Sequence, residues 1–138
     1  MEPVSEPIKV VYIEDNPANL SLVIRALEAT GIYKVFGCPD GEAGLEQIEN
    51  DPPAVVLVDL DIPGVNGFEV TRQIKASANP AVAAIPVAAV SANVMAGERD
   101  AAREAGCIDF IEKPFDLNAF RKRVAELAGL TSEAGWAR

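Results

Sequence analysis

The chain has 138 residues, of which 49% are hydrophobic, and this length fits one domain, since domains commonly hold roughly 100–150 residues. Its formal net charge of −9 argues against general nucleic-acid binding, because phosphate backbones need a basic surface. The chain contains no histidine, which excludes histidine metal ligands, Ser-His and Cys-His nucleophiles, and phosphohistidine formed on this chain.

Short strands alternate with helical segments five times along the chain. The predicted strands are Ile8–Ile13, Tyr33–Cys38, Ala54–Asp59, Ile85–Val90 and Cys107–Ile111. The predicted helices follow Asn16-Pro17, Pro39-Asp40-Gly41, Gly67 (Phe68–Ala76), Asn93 (Val94–Ala105) and Asp116. This alternation predicts a doubly wound parallel sheet with helices on both faces, strand 1 central and the less apolar strand 2 at an edge.

One domain is predicted over residues 1–130. The remaining segment, residues 131–138, has no hydrophobic pattern and is expected to be a C-terminal tail or the start of a linker. No apolar run approaches the roughly 18–20 residues that span a membrane, and the first residues do not resemble a secretory signal. Cys38 and Cys107 form no CxxC pair, so we expect a reduced, cytoplasmic setting.

Reactive side chains follow three of the predicted strands. Strand 1 runs into Glu14-Asp15, strand 3 ends in Asp59, and strand 5 runs into Glu112-Lys113-Pro114. If the strands are parallel and adjacent, three carboxylates and one ammonium converge at the carboxyl edge of the sheet, where ligands of open α/β sheets bind. Each acid alone has a plainer interpretation, as a helix cap or a solvated group.

Three neighbouring carboxylates tend to destabilise a fold unless a cation bridges them or a pKa rises, since two like charges about 4 Å apart repel by roughly 4 kcal/mol at an effective dielectric near 20. Magnesium is the expected cation, because it prefers hard oxygen ligands and no sulfur or imidazole ligand is offered. Lys113 could neutralise the acids or grip a phosphate. Ser91, just past strand 4, could donate its hydroxyl to an anion.

Two common phosphate-binding patterns are absent. The loop containing Gly64 and Gly67 is not a GxxxxGK[ST] loop, and no GxGxxG follows strand 1. Binding of a flavin mononucleotide is disfavoured as well, because Glu14-Asp15 would repel a phosphate that lacked a metal.

Four motifs, taken in order on their strands, carry a family resemblance. They are Glu14-Asp15-Asn16, Asp59-Leu60-Asp61-Ile62-Pro63-Gly64-Val65-Asn66-Gly67, Ser91-Ala92-Asn93 and Lys113-Pro114-Phe115. Over about residues 7–128 the chain resembles a receiver domain of two-component response regulators. The resemblance implies a flavodoxin-like (βα)5 fold with a five-stranded parallel sheet in the order 2-1-3-4-5.

The resemblance also implies roles for the residues at the strand ends. Asp59 would accept a phosphoryl group from a histidine of a partner kinase or of a histidine phosphotransfer protein. Asp15 and Asp59 would bind magnesium directly, together with the backbone carbonyl of Asp61, and Glu14 would act through water. Lys113 would pair with the phosphate. Such a protein is a regulatory switch that promotes its own phosphorylation and dephosphorylation, not an enzyme acting on a separate substrate.

Further positions follow from the same resemblance. Ser91 would hydrogen-bond the phosphoryl group in the activated state, assisted by the backbone N–H of Ala92. Phe110 falls at the switch-aromatic position, and Asp61 and Asn93 fall at positions that tune the lifetime of the acyl phosphate. Phosphorylation would remodel the face formed by the fourth predicted helix, strand 5 and the last helix, where a downstream protein would bind.

Two other functions stay open at the level of the sequence. The Asp59-Leu60-Asp61 sequence is a DxD after a strand, as in phosphohydrolases of the haloacid-dehalogenase type, although there the motif ends the first strand. The second alternative is a binding module that never takes phosphate. The chain could also be a single-domain regulator, a shuttle in a phosphorelay or part of a longer protein. We further predict a cis peptide at Lys113–Pro114, which would turn Lys113 back toward the acids.

Overall fold

The computed structural model of the protein describes residues 6–62, 64–93, 95–114 and 116–130. In these ranges the strands are β1 (Ile8–Ile13), β2 (Tyr33–Cys38), β3 (Val55–Asp59), β4 (Val87–Ser91) and β5 (Asp109–Glu112). The helices are α1 (Pro17–Glu28), α2 (Gly41–Asn50), α3 (Gly67–Lys75), α4 (Pro80–Ala83), α5 (Ala96–Ala105) and α6 (Leu117–Leu127). The predicted tail 131–138 lies outside the described residues, as do residues 1–5, Pro63, Val94 and Phe115.

The five strands form one sheet in the order β2-β1-β3-β4-β5, and every neighbouring pair is parallel. All five residues of β3 are buried, as expected of a central strand in a sheet covered on both faces. The predicted doubly wound fold is therefore confirmed, including the edge position of strand 2.

Alternate residues of the strands separate the core into two layers. One layer joins β1, β3, β4 and β5 to α2, α3 and α5, and contains Val11, Val58 and Phe110. The other joins the opposite sheet face to α1 and α6, and contains Tyr12, Leu57 and Phe120. Both faces are thus covered by helices, and the open part of the sheet that concerns function is its carboxyl edge. None of the helices in the described ranges is long and apolar enough to cross a membrane.

Three strands begin later than the sequence predicted. Strand β3 starts at Val55 instead of Ala54, and β4 starts at Val87, because the backbone N–H of Ile85 still bonds to Val82. Strand β5 starts at Asp109, because Cys107 donates its N–H to Ala102 and completes the end of α5. Gly106 has a φ of 117° at this helix end, a left-handed conformation that favours glycine.

The described residues form one helix more than predicted. The single turn α4 begins after Asn79, whose side chain accepts a hydrogen bond from Ala81 N, and Pro80 occupies its first turn. Four residues are too short to leave a hydrophobic period, although the Asn-Pro pair was a visible start signal. The predicted third helix is also shifted by one residue, to Gly67–Lys75, and the predicted fourth helix is α5, which begins at Ala96.

Candidate functional site

The carboxyl ends of β1, β3 and β5 bring three predicted site residues into contact. The Lys113 ammonium donates to Glu14 Oε1 at 2.7 Å and to Asp59 Oδ2 at 2.6 Å. These residues are 99 and 54 positions apart from Lys113 in the chain, so the parallel sheet order alone unites them. The convergence expected from the topology is present.

Three carboxylates form a set of oxygen ligands at this edge. One ligand atom from each of Glu14, Asp15 and Asp59 lies within 4.8 Å of the others. Glu14 and Asp59 are buried, whereas Asp15 is exposed at the rim. A set of hard oxygens that opens to solvent on one side fits magnesium, which binds through a few carboxylates and keeps several waters.

The Glu14 carboxylate accepts several hydrogen bonds within the protein. Besides Lys113, Oε1 accepts from the Tyr12 hydroxyl at 2.9 Å and from the Asn19 amide at 3.4 Å, and Oε2 accepts from Asn16 N at 3.3 Å. Burial alone would raise the pKa of Glu14, but the hydrogen bonds, that from Lys113 foremost, lower it to about 2. Glu14 is therefore held as a carboxylate although its side chain has almost no solvent exposure.

Asp59 experiences the opposite balance. Burial raises its pKa, Lys113 and the Asp61 N–H oppose that rise, and the nearby charge of Glu14 reinforces it. The Asp61 N–H donates to Asp59 Oδ1 at 2.9 Å. Because the net effect is a raised pKa, the protein stabilises the ionised form of Asp59 less than it stabilises the ionised form of Glu14. An added positive charge would therefore be favourable beside Asp59.

Lys113 is the one ammonium shared by these two acids. Burial lowers its pKa, but the hydrogen bonds to Asp59 and Glu14 raise it by more, so the group stays protonated. The peptide bond from Lys113 to Pro114 is cis, as predicted, and the Lys113 N–H pairs with Ser91 O at the end of β4.

The loop after β3 is held close to the strand end. A Cβ placed on Gly67 would lie 2.7 Å from both Asp59 O and Leu60 Cα, so only glycine permits this approach. Asp61 is exposed in this loop, and Asn66 caps α3 by accepting from Glu69 N. The loop thus presents Asp61 beside Asp59 at the rim.

Ser91 is fully buried at the end of β4 and is engaged by its own loop and by α5. Its hydroxyl oxygen accepts a hydrogen bond from Asn93 N at 3.0 Å. The same hydroxyl can donate its proton to Asn93 O, at 3.3 Å, or to Glu98 Oε2, at 3.5 Å. The contact of Glu98 with Ser91 brings the first turn of α5 close to the rim, where burial and the charge of Asp61 raise the pKa of Glu98. Ala92 and Asn93 are exposed.

Phe110 lies on β5 and is already buried, with 2% of its surface exposed. The Arg99 guanidinium of α5 lies 4.6 Å from the ring centroid and forms an ion pair with Glu112. The aromatic ring is therefore covered by a side chain from α5. The ring is thus inward here, and we keep as a prediction that Phe110 changes rotamer on phosphorylation.

A cleft of about 310 Å³ opens beside Lys113. It is lined by Asn19 and Leu22 of α1, by Ala92, and by Lys113 and Pro114. Leu22 is exposed, with 45% of its surface accessible. The ammonium thus has acids on one side and a partly apolar recess on the other.

Tyr12, Asn19, Glu98 and Arg99 contact the predicted site residues but were not predicted from the sequence. A signal for Tyr12 was available, since residues two apart on a strand project from the same face, and Tyr12 precedes Glu14 by two. The apolar run around it favoured its interpretation as core. The contacts of Glu98 and Arg99 with the site depend on how α5 packs over β5, which no local sequence pattern predicts.

The chain belongs to the response regulator receiver domain family, whose model matches residues 10–125. This is the class of protein that the sheet order and the acid cluster define. Among curated relatives, the polar-differentiation response regulator DivK of Brucella anthropi is 32% identical over 123 residues, covering 89% of this chain and 98% of that protein.

Receiver domains within sensor kinases are also similar. The sensor histidine kinase GacS of Pseudomonas protegens is 32% identical over 123 residues, which are 88% of this chain but only 13% of the kinase. The crystal structure of the receiver domain of sensor histidine kinase PA1611 of Pseudomonas aeruginosa, with a magnesium ion coordinated in its active-site cleft, has a TM-score of 0.81. It is 27% identical and covers 90% of this chain and 99% of that one.

Proposed function

We propose that this protein is a phosphorylation-dependent signalling switch in which Asp59 accepts a phosphoryl group. The observation that carries the proposal is the sharing of one ammonium, Lys113, by two buried carboxylates, Glu14 and Asp59. Family membership supports a regulatory receiver role in two-component signalling. The same membership leaves the dehalogenase-type phosphohydrolase without support.

The phosphoryl group must come from outside these 138 residues, because they contain no histidine. We infer that the partner is a histidine kinase or a histidine phosphotransfer protein, in keeping with the kinase-borne receivers among the relatives. The cleft formed by α1 with Ala92 and Lys113 is where such a partner would approach. We infer a cytoplasmic setting, without direct contact with nucleic acid or membrane.

In the transfer step, an oxygen of the Asp59 carboxylate forms a bond to phosphorus as the phosphorus–nitrogen bond of the donor breaks. The imidazole leaves and takes up a proton from solvent. Transfer replaces the single carboxylate charge by the roughly −1.5 to −2 charges of the phosphoryl group, so a bound cation and Lys113 would have to neutralise the added charge. Lys113, already 2.6 Å from Oδ2, would follow the charge outward.

Asp15 and Asp59, with the backbone carbonyl of Asp61 and with Glu14 acting through water, would hold the magnesium ion, which when bound would neutralise charge on the transferring group. Ser91 would have to exchange its contacts with Asn93 and Glu98 for a phosphoryl oxygen. The exposed side chains at Asp61 and Asn93 would tune the lifetime of the acyl phosphate through the access of water.

The output of the switch is proposed to be the face formed by α5, β5 and α6. Glu98 contacts Ser91, and the next residue, Arg99, covers Phe110 and pairs with Glu112. The first turn of α5 therefore touches both the phosphoryl side and the output side. A shift of Ser91 toward a phosphoryl group would be transmitted to this face, which a downstream protein would recognise.

Labelling by acetyl phosphate with magnesium tests the acceptor. Intact-mass spectrometry should show one added phosphoryl group on the wild-type protein and none on Asp59→Asn. Asp61→Asn serves as the matched control, because it removes an acid two residues away and should still be labelled. Undiminished labelling of Asp59→Asn would refute the assignment, and turnover of p-nitrophenyl phosphate would favour a phosphohydrolase.

NMR tests the output face. Addition of beryllofluoride and magnesium should shift amide signals from Asp59 through Ser91 to Phe110 and the start of α5. Arg99→Gln should reduce the shifts on α5 and leave those near Asp59 in place. Shifts confined to the β3–α3 loop would contradict this route.

A further inference from the structure

The hydroxyl of Tyr12 forms a hydrogen bond that the proposed phosphoryl chemistry does not use. Tyr12 lies on β1 with no solvent exposure and donates to Glu14 Oε1 at 2.9 Å. The two residues are two positions apart, so they project from the same face of the sheet. A fully buried phenol is thus aimed at a nearly fully buried carboxylate of the acid cluster.

The other partners of Glu14 are either shared or long. Lys113 divides its ammonium between Glu14 and Asp59. The Asn19 amide is 3.4 Å away, and Asn16 N, at 3.3 Å, contacts the other oxygen. Tyr12 therefore gives Oε1 a short hydrogen bond that comes from a rigid central strand and does not depend on Lys113.

We propose that Tyr12 is a positioning residue for the divalent-cation site, where its hydroxyl holds the Glu14 carboxylate at the rim. The inference rests on the proposed function, because it concerns the cation that assists phosphoryl transfer. Tyr12 does not touch the cation. It acts through Glu14, whose orientation it fixes from beneath.

The need for this support follows from the sharing of Lys113. A cation entering among Glu14, Asp15 and Asp59 repels the ammonium, and a phosphoryl group attracts it outward. Glu14 then loses its strongest partner while it stays buried. A buried carboxylate without hydrogen bonds is costly, so the Tyr12 hydroxyl keeps Glu14 in place at the moment that Lys113 departs.

Magnesium titration of Tyr12→Phe by calorimetry, without any phosphoryl donor, tests this role. We expect magnesium to bind about tenfold more weakly, the lower end of the roughly 10–100-fold lost when a hydrogen-bond partner of a metal ligand is removed. Tyr33→Phe is the matched control, because Tyr33 is a second buried tyrosine, on β2, away from the acids. It should bind magnesium as the wild type does.

A double-mutant cycle separates positioning from a general loss of packing. In a Glu14→Gln background the further change Tyr12→Phe should have little effect on magnesium affinity, because the group it positions is already altered. Labelling of Tyr12→Phe by acetyl phosphate should need about tenfold more magnesium but reach the wild-type rate at saturation.

Each result is decisive for one claim. Equal magnesium affinity in Tyr12→Phe and wild type would overturn the role of Tyr12, and so would an equal loss in the Tyr33→Phe control. Wild-type binding of magnesium without labelling of Asp59 would instead refute the proposed function. If Tyr12→Phe does not fold, the wild-type protein still gives an answer: NMR should show the Tyr12 hydroxyl proton protected from exchange with magnesium bound, and loss of that protection would overturn the proposal.

Discussion

Two buried aspartates of one sheet, Asp59 and Asp109, differ in how their charge is balanced. Asp109, at the start of β5, has a guanidinium to itself: Arg123 donates through Nε to Oδ2 at 2.8 Å and through a second nitrogen to Oδ1. Arg123 also donates to Phe110 O at 3.1 Å, and Phe110 N donates to Asp109 at 2.8 Å. Asp59 at the end of β3 shares one ammonium with Glu14.

The difference indicates which carboxylate is structural and which is reactive. The pair of Asp109 and Arg123 is neutral and bidentate, and joins β5 to α6. The cluster of Glu14, Asp15, Asp59 and Lys113 retains an excess of negative charge at the carboxyl edge. The pair of Asp109 and Arg123 stabilises the fold because each charge has its partner. An unbalanced cluster favours the arrival of a cation.

The largest expected effect comes from breaking the ion pair of Asp109 and Arg123. Asp109→Asn should lower the free energy of unfolding by about 3 kcal/mol, because it leaves a partly buried guanidinium without its carboxylate. Asp59→Asn should leave that free energy unchanged or raise it, since it relieves repulsion with Glu14. Urea unfolding at neutral pH with a chelator present measures both. Equal losses in the two variants would show that the contrast is wrong.

Stabilisation by magnesium should distinguish the two aspartates in the opposite way, because it should depend on Asp59 and not on Asp109. At a concentration about 100 times its Kd, magnesium should stabilise the wild-type protein by about 2.7 kcal/mol. Asp109→Asn should keep this gain, and Asp59→Asn should lose most of it. The measurement is unfolding with and without magnesium. A full gain in Asp59→Asn would contradict the ligand set.

The pH dependence sharpens the comparison within the cluster. Glu14 has a pKa lowered to about 2, so its stabilising contribution is present above 4.5, its ordinary value, and is lost as the pH falls through 2. Asp59 has a raised pKa, so its ionisation opposes folding: the cost is absent below 3.8 and appears as the pH rises through the folded value.

Asp59→Asn should therefore match the wild type in stability at pH 3 and become the more stable of the two as the pH rises, in metal-free solution. Urea unfolding of both proteins across this range gives the difference. Glu14→Gln is the control of opposite sign, and should lose stability relative to wild type only above its low folded pKa. A difference between Asp59→Asn and wild type that shrinks as the pH rises would contradict the assigned directions.

The same two aspartates show which features of the structure could be predicted from the sequence. The strand-helix alternation and the motifs after β1, β3, β4 and β5 predicted the sheet order and the convergence of Glu14, Asp59 and Lys113. The sequence did not single out Asp109, which also interrupts an apolar strand. Its partner Arg123 is 14 positions away on α6, and only the packing of that helix unites them.

Other contacts, and two strand boundaries, could not be predicted from the sequence for related reasons. The cover of Phe110 by Arg99 depends on how α5 packs over β5, and the contact of Ser91 with Glu98 depends on where α5 begins. The boundaries of β4 and β5 were shifted by hydrogen bonds that complete the preceding turns. Local patterns specify elements and their order, whereas these contacts arise between elements.

The smallest expected effect concerns the cover over the output face. Arg99→Gln should lower the free energy of unfolding by about 1 kcal/mol, because it removes both a cation–π contact and an ion pair. Arg72→Gln is the control, since its exposed pair with Glu69 on α3 is worth about 0.2–0.5 kcal/mol. The Phe110 ring signals should shift in Arg99→Gln alone. Unchanged ring signals in that variant would show that Arg99 does not cover the ring in solution.

The most direct test of the central claim locates the phosphoryl group chemically. After incubation with acetyl phosphate and magnesium, borohydride reduces an aspartyl phosphate to homoserine, which peptide mass spectrometry identifies by position. We predict homoserine at residue 59, in the wild-type protein and in Asp109→Asn alike, and only when the phosphoryl donor is present. Homoserine at another aspartate, or none in a protein that has gained a phosphoryl group, would contradict the account.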